Sequence, residues 1–283
     1  GSAEVRVYLD TAPPAVVIKS PANNSYTRTS PIDVTYTVDG GPDRTEPANL
    51  TEGPNTVTIT KADLAGNSGS ASITVNLDTT PPNIPTVIDG GTATGSATQL
   101  YALWSSLDNG SGISGYKYRI TESAWNGAVI APWTEAQMIT SSTHTGLSLE
   151  NKKEYFFSVI AVDNAGNESS VGVSDGILVD TTIPEGLIII NGGNNTMVQN
   201  VTLTISSNDA AQMRLKDEDD AVWGDWIAYD TFLSWTLSAG DGTKTIYIQF
   251  MDAAGNMSTD TICDSVNLDT VSPAVVIKSP ANN

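Results

Sequence analysis

One cysteine and one histidine stand in 283 residues. A lone Cys263 excludes an internal disulfide, and its place in ICDSVNL reads as that of a small core hydrophobe. A lone His144 leaves serine-hydrolase triads, Cys–His dyads and histidine-rich zinc sites to compete for one imidazole. In its polar Thr/Ser stretch it reads as a solvated loop or strand-edge residue. No G-x-S-x-G, P-loop or H-E-x-x-H motif occurs, so no catalytic residue is expected. Cations are scarce too, with 13 Lys and Arg against 32 Asp and Glu and a net charge of −19. Nucleic acid, whose phosphates attract basic surfaces, is therefore not an expected partner. The acidic balance suits a soluble surface or one that gathers cations. No run of about 18 apolar residues exists, so no membrane insertion is expected. There is no convincing amphipathic helix and no signal peptide in view.

Repetition is what the chain has instead. AVVIKSPANN runs from Ala15 to Asn24 and again from Ala274 to Asn283. LDTAPP (9–14), LDTTPP (77–82), VDTTIP (179–184) and LDTVSP (268–273) are four versions of one punctuation mark. ADLAGN (62–67), VDNAGN (162–167) and MDAAGN (251–256) precede three of them. Self-similarity of this kind is the signature of a tandem array.

Between the marks, apolar and polar residues alternate. IDVTYTV (32–38), NTVTIT (55–60), SITVNL (72–77), VTLTIS (201–206) and KTIYIQF (244–250) are rich in Val, Ile, Thr and Tyr and bounded by Gly, Asn, Asp and Pro. Period two predicts strands with one buried face, and many short strands between turns predict an all-β sandwich. The marks divide the chain into 11–78, 79–180 and 181–269. GSAEVRVYLD (1–10) parallels GSASITVNLD (69–78) and reads as the last strand of a preceding domain. Residues 270–283 read as the first strand of a following one. The expected picture is a window onto a longer array.

The second domain places Trp104 on an early strand and Tyr155 six residues after Leu149, the tyrosine-corner position of Ig-type sandwiches. On these residues it resembles a bacterial fibronectin type III domain. The first and third, through EGPNTVTITKADLAGN and GDGTKTIYIQFMDAAGN, resemble bacterial Ig-like repeats. Arrays of this kind are similar to the stalks of large bacterial adhesins. The resemblance implies an elongated, extracellular, non-enzymatic segment at the cell surface, whose nearest partners are neighbouring repeats of the same chain.

In such a fold the loop after the penultimate strand and the B–C loop share the pole where the domain begins. That predicts three parallel acidic sets: Asp10/Asp39/Asp63, Asp78/Asp108/Asp163 and Asp180/Asp209/Asp252, with Asp269 opening a fourth. Converging carboxylates repel unless compensated. Calcium, which takes six to eight oxygens, is the natural candidate cofactor, with Asn67, Asn109, Asn167 and Asn256 close by. Calcium-stiffened linkers are implied by the resemblance as well. The alternative is that each Asp holds its own turn by accepting backbone N–H bonds, with Gly of D-x-A-G-N in the left-handed corner. Asp217, Glu218, Asp219 and Asp220 in KDEDDAVWGDW read as a solvated hairpin tip or a surface metal site.

Two further readings stay open. Trp104 belongs to a core, and some of Trp223, Trp226 and Trp235 should face inward. Trp125 and Trp133 go either way, and exposed rings would serve a glycan or protein ligand. The orphan strands would serve self-association into fibres by adding to an open sheet edge.

Overall fold

The computed structural model describes residues 6–276 apart from Trp125. The described chain is all-β, and no helix is long and apolar enough to cross a membrane. It divides into two compact units. One holds the chain up to Asp89 with Leu100–Leu147 and Tyr155–Gly176; the other holds Gly90–Gln99, Ser148–Glu154 and the described chain from Ile177 on.

In the first unit, Ile32–Val38 pairs antiparallel with Val16–Ser20 on one side and Arg44–Ala48 on the other. Facing this sheet, Ser68–Leu77 pairs with Gly53–Ala62 and, in parallel, with Ser25–Thr27. Alternation along Ile32–Val38 and Gly53–Ala62 sends Val34, Tyr36, Val57 and Ile59 inward, where they meet Leu50, Val75 and Leu77. The same unit carries most of the strands expected between 79 and 180. Thr86–Asp89 pairs with Gln99–Ser105, and Ile113–Glu122 lies between Val129–Gln137 and Lys153–Asp163. Trp104, only 1% exposed, is the core aromatic the sequence called for. It leans on Tyr116 and Tyr118, and Phe157 closes the cluster. Its indole N–H donates to the carbonyl of Ile139 at 3.1 Å, so the buried ring carries no orphan donor. Tyr155 is fully buried.

The second unit repeats the two-sheet plan. Asn200–Ser207 lies between Gly186–Ile190 and Phe232–Thr236. Gly242–Met251 lies between Gln212–Asp217 and Ile262–Leu268. Leu203, Ile205, Met213, Ile246, Ile248 and Phe250 fill the space between the two sheets. Each of the five strand segments named from sequence falls inside an observed strand.

Two expectations change. Cys263 is exposed, not in a core. Along Ile262–Leu268 the inward phase is carried by Val266 and Leu268, so Cys263, an odd number of residues away, points outward. At the ends of the chain, Arg6–Asp10 and Val271–Val276 form no strand, and Val7, Tyr8 and Leu9 are exposed. The remainder of the two orphan-strand readings, 1–5 and 277–283, lies outside the described residues, as does Trp125.

Candidate metal clusters and an asparagine clasp

The D-x-A-G-N segments fold into one turn made three times. In the second copy the N–H of Asp163 donates to the carbonyl of Asn167 (3.1 Å), and that of Gly166 to the carbonyl of Asp163 (3.2 Å). Gly166 sits at φ 88°, with Gly66 at 90° and Gly255 at 87°, the left-handed corner that a side chain disfavours. The Asp163 carboxylate then accepts the Asn167 N–H on Oδ1 (2.8 Å) and the Asn167 amide on Oδ2 (2.7 Å).

The asparagine amide has a second proton, and it leaves the turn. Asn167 Nδ2 donates to the main-chain carbonyl of linker residue Asp78 at 2.8 Å. Asn67 Nδ2 does the same to Asp10 (3.0 Å) and Asn256 Nδ2 to Asp180 (2.7 Å). Asn67 and Asn256 also hold their own Asp63 and Asp252 carboxylates, at 2.9 and 2.8 Å. Each asparagine is thus a clasp between a turn and the main chain of a punctuation mark far from it in sequence. Sequence reasoning placed these asparagines nearby only as oxygen donors to a metal. The signal that pointed to the clasp was their constant spacing, four residues after the aspartate in all three copies.

The linker aspartates form turns of their own. Oδ1 of Asp10, Asp78, Asp180 and Asp269 accepts the N–H two residues on, at 3.0–3.1 Å. Asp78 also receives the Ser111 N–H at 2.6 Å. The turn-forming alternative is therefore realised at every linker. It leaves room for a cation, because an ionised carboxylate offers about four lone-pair sites.

Two of the three predicted acidic sets converge. One carboxylate oxygen each from Asp78, Asp108 and Asp163 lies within 4.8 Å of the others, and the same is true of Asp180, Asp209 and Asp252. Asp78 and Asp163 are 2% and 1% exposed. The first set, Asp10, Asp39 and Asp63, is not among the convergent groups of the described residues. The reason is a register offset of one. Asp39 exchanges backbone bonds with Ala15 (N–H to carbonyl, 2.9 Å) and caps its N–H with Oδ1 at 2.8 Å. In the later domain Asn208 does this to Glu185, at 3.1 and 2.9 Å. Asp39 is therefore the counterpart of Asn208. The counterpart of Asp209 is Gly40, which has no carboxylate to offer.

Charge is held differently in the two clusters. Burial works against the Asp78 carboxylate, but the Ser111 and Thr80 donors outweigh it and keep its pKa below the ordinary value. The Lys152 ammonium, with the Thr182 N–H, does the same for Asp180. The Asn67 amide lowers Asp63, and the Thr270 N–H lowers Asp241. A carboxylate whose folded pKa is depressed contributes stability above its unfolded value and loses it as pH falls through the folded one. The melting temperature is expected to stay level from pH 7 to 5 and to fall below about pH 4, as melts across a buffer series would record.

Asp217 runs the other way. Burial raises its pKa, and Asp220 and Asp219 add to the effect. The Trp235 indole N–H donates to its Oδ1 at 2.8 Å. Asp220 Oδ2 accepts the Asp217 N–H at 3.1 Å, so KDEDD is a hairpin tip closed by its own aspartate, and it is not one of the convergent groups. A raised carboxyl is a burden once ionised. Asp217→Asn keeps the indole acceptor and is expected to raise the melting temperature by about 1–3 °C at pH 7 and not at pH 3, a modest gain because the tip is wet.

Of the aromatic candidates, Trp133 is 38% exposed, but Arg119 lies against its ring at 5.0 Å and Lys117 at 5.9 Å. Arg214 lies against both Trp226 (4.5 Å) and Trp223 (5.3 Å). These contacts give the rings cation–π partners within the protein. His144 sits half-buried on strand Ser141–Thr145, its Nδ1 2.9 Å from the Tyr118 hydroxyl.

No protein-family profile matches the chain. Among curated proteins it is 27% identical over 191 residues to exoglucanase B of Cellulomonas fimi, covering 65% of this chain and 15% of that protein. It is 32% identical over 123 residues to exoglucanase A of the same organism, covering 40% and 13%. The chain thus spans about one seventh of the length of these relatives. Among solved structures it is similar to fibronectin(III)-like modules of Clostridium thermocellum CbhA, with a TM-score of 0.40 at 15% identity over 65% of this chain and 93% of that one. It is also similar to a tetra-tandem repeat from the extending region of a large adhesion protein, with a TM-score of 0.30 at 18% identity over 90% and 74%.

Proposed function

We propose that this chain is a non-catalytic spacer within a larger extracellular protein, made of β-sandwich modules over 11–78, 79–180 and 181–269. One observation carries the reading: the threefold clasp, in which an asparagine amide fastens the backbone of three of the four linkers to the turn of the module each enters. A linker held by its own carbonyl has few torsions left, which is what a spacer between working domains needs. The exoglucanase relatives, of which this chain matches only a small part, support such a placing beside a catalytic domain. The stalk of an adhesin is the same mechanical role in another host. The cation contacts on Trp133, Trp223 and Trp226 favour the spacer over a glycan-binding module.

Calcium belongs to this reading at Asp78, Asp108 and Asp163. Three oxygens within 4.8 Å of one another suit an ion that takes ligands at 2.3–2.6 Å. Among the described residues none of the three has an ion-pair partner. An ion there would join linker, B–C loop and clasp turn.

The test uses the full chain. It is expected to release no sugar from cellulose or soluble glucans and not to sediment with cellulose. Small-angle scattering in millimolar calcium should show an extended particle, and excess chelator should increase its flexibility and lower its melting temperature, as linkage requires. Sugar release, or a compact particle in both buffers, would overturn the spacer reading. Superimposable curves with and without calcium would overturn the metal alone.

A further inference from the structure

One neighbour gives the two convergent clusters a different charge. Gly53 stands opposite Leu77, at the end of one last strand, and Gly242 stands opposite Leu268 at the end of another. Before Asp180 the same place is taken by Lys152, whose N–H donates to the carbonyl of Val179 at 2.7 Å. The preceding residues confirm the equivalence. Glu52 accepts the Thr79 N–H (3.2 Å), Asn151 the Thr181 N–H (2.9 Å) and Asp241 the Thr270 N–H (2.9 Å).

The backbone at this position is left-handed in all three copies, with φ of 91° at Gly53, 63° at Lys152 and 127° at Gly242. Glycine adopts it freely, whereas a residue with a Cβ is held there at a cost. Lysine is therefore the wrong residue for the turn, and the reason for it lies at the end of its side chain. Its ammonium donates to Oδ2 of Asp180, whose side chain is 11% exposed. It is attracted by Asp209 and Asp252 as well. Those are the three acids of the second cluster. The Asp78, Asp108 and Asp163 cluster has Gly53 at this place, which brings no charge.

We infer that the ammonium of Lys152 is the resident cation of Asp180, Asp209 and Asp252, so that this cluster takes no divalent ion and the one at Asp78, Asp108 and Asp163 does. The second half of the inference rests on the calcium reading above; the first half stands without it. The repeat thus holds two versions of one joint, one neutralised by a lysine of the preceding module and one by an ion from solution.

Calcium is the probe, and the full chain is compared with Lys152→Met, which keeps the length and removes the charge, and Lys152→Gly, which restores the residue of the sister positions. In excess chelator Lys152→Met is expected to melt about 3–6 °C lower than the parent chain. Lys152→Gly should fall less, because it also relieves the turn. In calorimetric titration the parent chain should bind one equivalent of calcium, lost in Asp108→Asn. Both Lys152 variants should bind a second equivalent, lost in Asp209→Asn. A Lys152→Met variant that melts with the parent chain in chelator would overturn the inference, as would a parent chain already binding calcium through Asp209. If the parent binds no calcium but Lys152→Met still falls in chelator, the role of Lys152 holds and the calcium reading of the Asp78 cluster fails.

Discussion

Gly110→Ala is expected to destabilise the chain by about 2–4 kcal/mol and to lower the melting temperature of the unit that holds it by about 5–15 °C. A Cβ at this position would lie 2.4 Å from Oδ2, 2.5 Å from Cγ and 2.6 Å from Oδ1 of Asp78. No real contact is so short, and the carboxylate is not a free end that swings aside. It is almost fully buried, with Oδ2 bound to the Ser111 N–H and Oδ1 to the Thr80 N–H. Alanine would push a buried charge off its donors, and an unmatched buried group is expensive. The check is a pair of melts. Gly110→Ala in an Asp78→Ala background should cost far less than in the parent chain, because the obstruction has gone. Equal losses in both backgrounds would show that the glycine serves the loop and not the carboxylate.

Asn167→Ala should cost about 3 kcal/mol in denaturant unfolding, since it strips one donor from the Asp163 carboxylate and another from the Asp78 carbonyl, both inside the protein. Asn67→Ala removes the same two bonds at a wetter place, where water replaces the lost amide, and should cost about 1 kcal/mol. Asn256, intermediate in exposure, should fall between them. A flat series would mean that the clasp is an ornament of the turn. A graded one would mean that burial sets the strength of each fastening.

The strands were open to reading because their pattern is local. Ile32–Val38 or Gly242–Met251 needs only alternate residues facing a core, and the letters carry that alternation. Cys263 was misplaced because a run such as ICDSVNL alternates in either phase until one apolar residue is known to face inward. The acidic clusters demanded more. Their residues are 29 to 85 positions apart, and bringing them together rests on loop register, which sequence fixes poorly. At Asp108 and Asp209 the expected loop position was right. At Asp39 it was off by one, and one residue is enough to turn a carboxylate from the joint toward Ala15. Lys152 escaped notice for a different reason: its meaning appears only when it is set against Gly53 and Gly242 as the same corner of the same fold.

The clasp accepts nothing from the linker except a main-chain carbonyl. Every amino acid supplies that group, so the turn that ends in Asn67, Asn167 or Asn256 makes no demand on the side chains of whatever strand precedes it. That one bond would survive a change of preceding module, whereas the Asp78 or Asp180 carboxylate and the Gly53 or Lys152 corner beside it would have to be kept. A fastening that ignores its partner's side chain suits a chain in which one punctuation mark recurs four times.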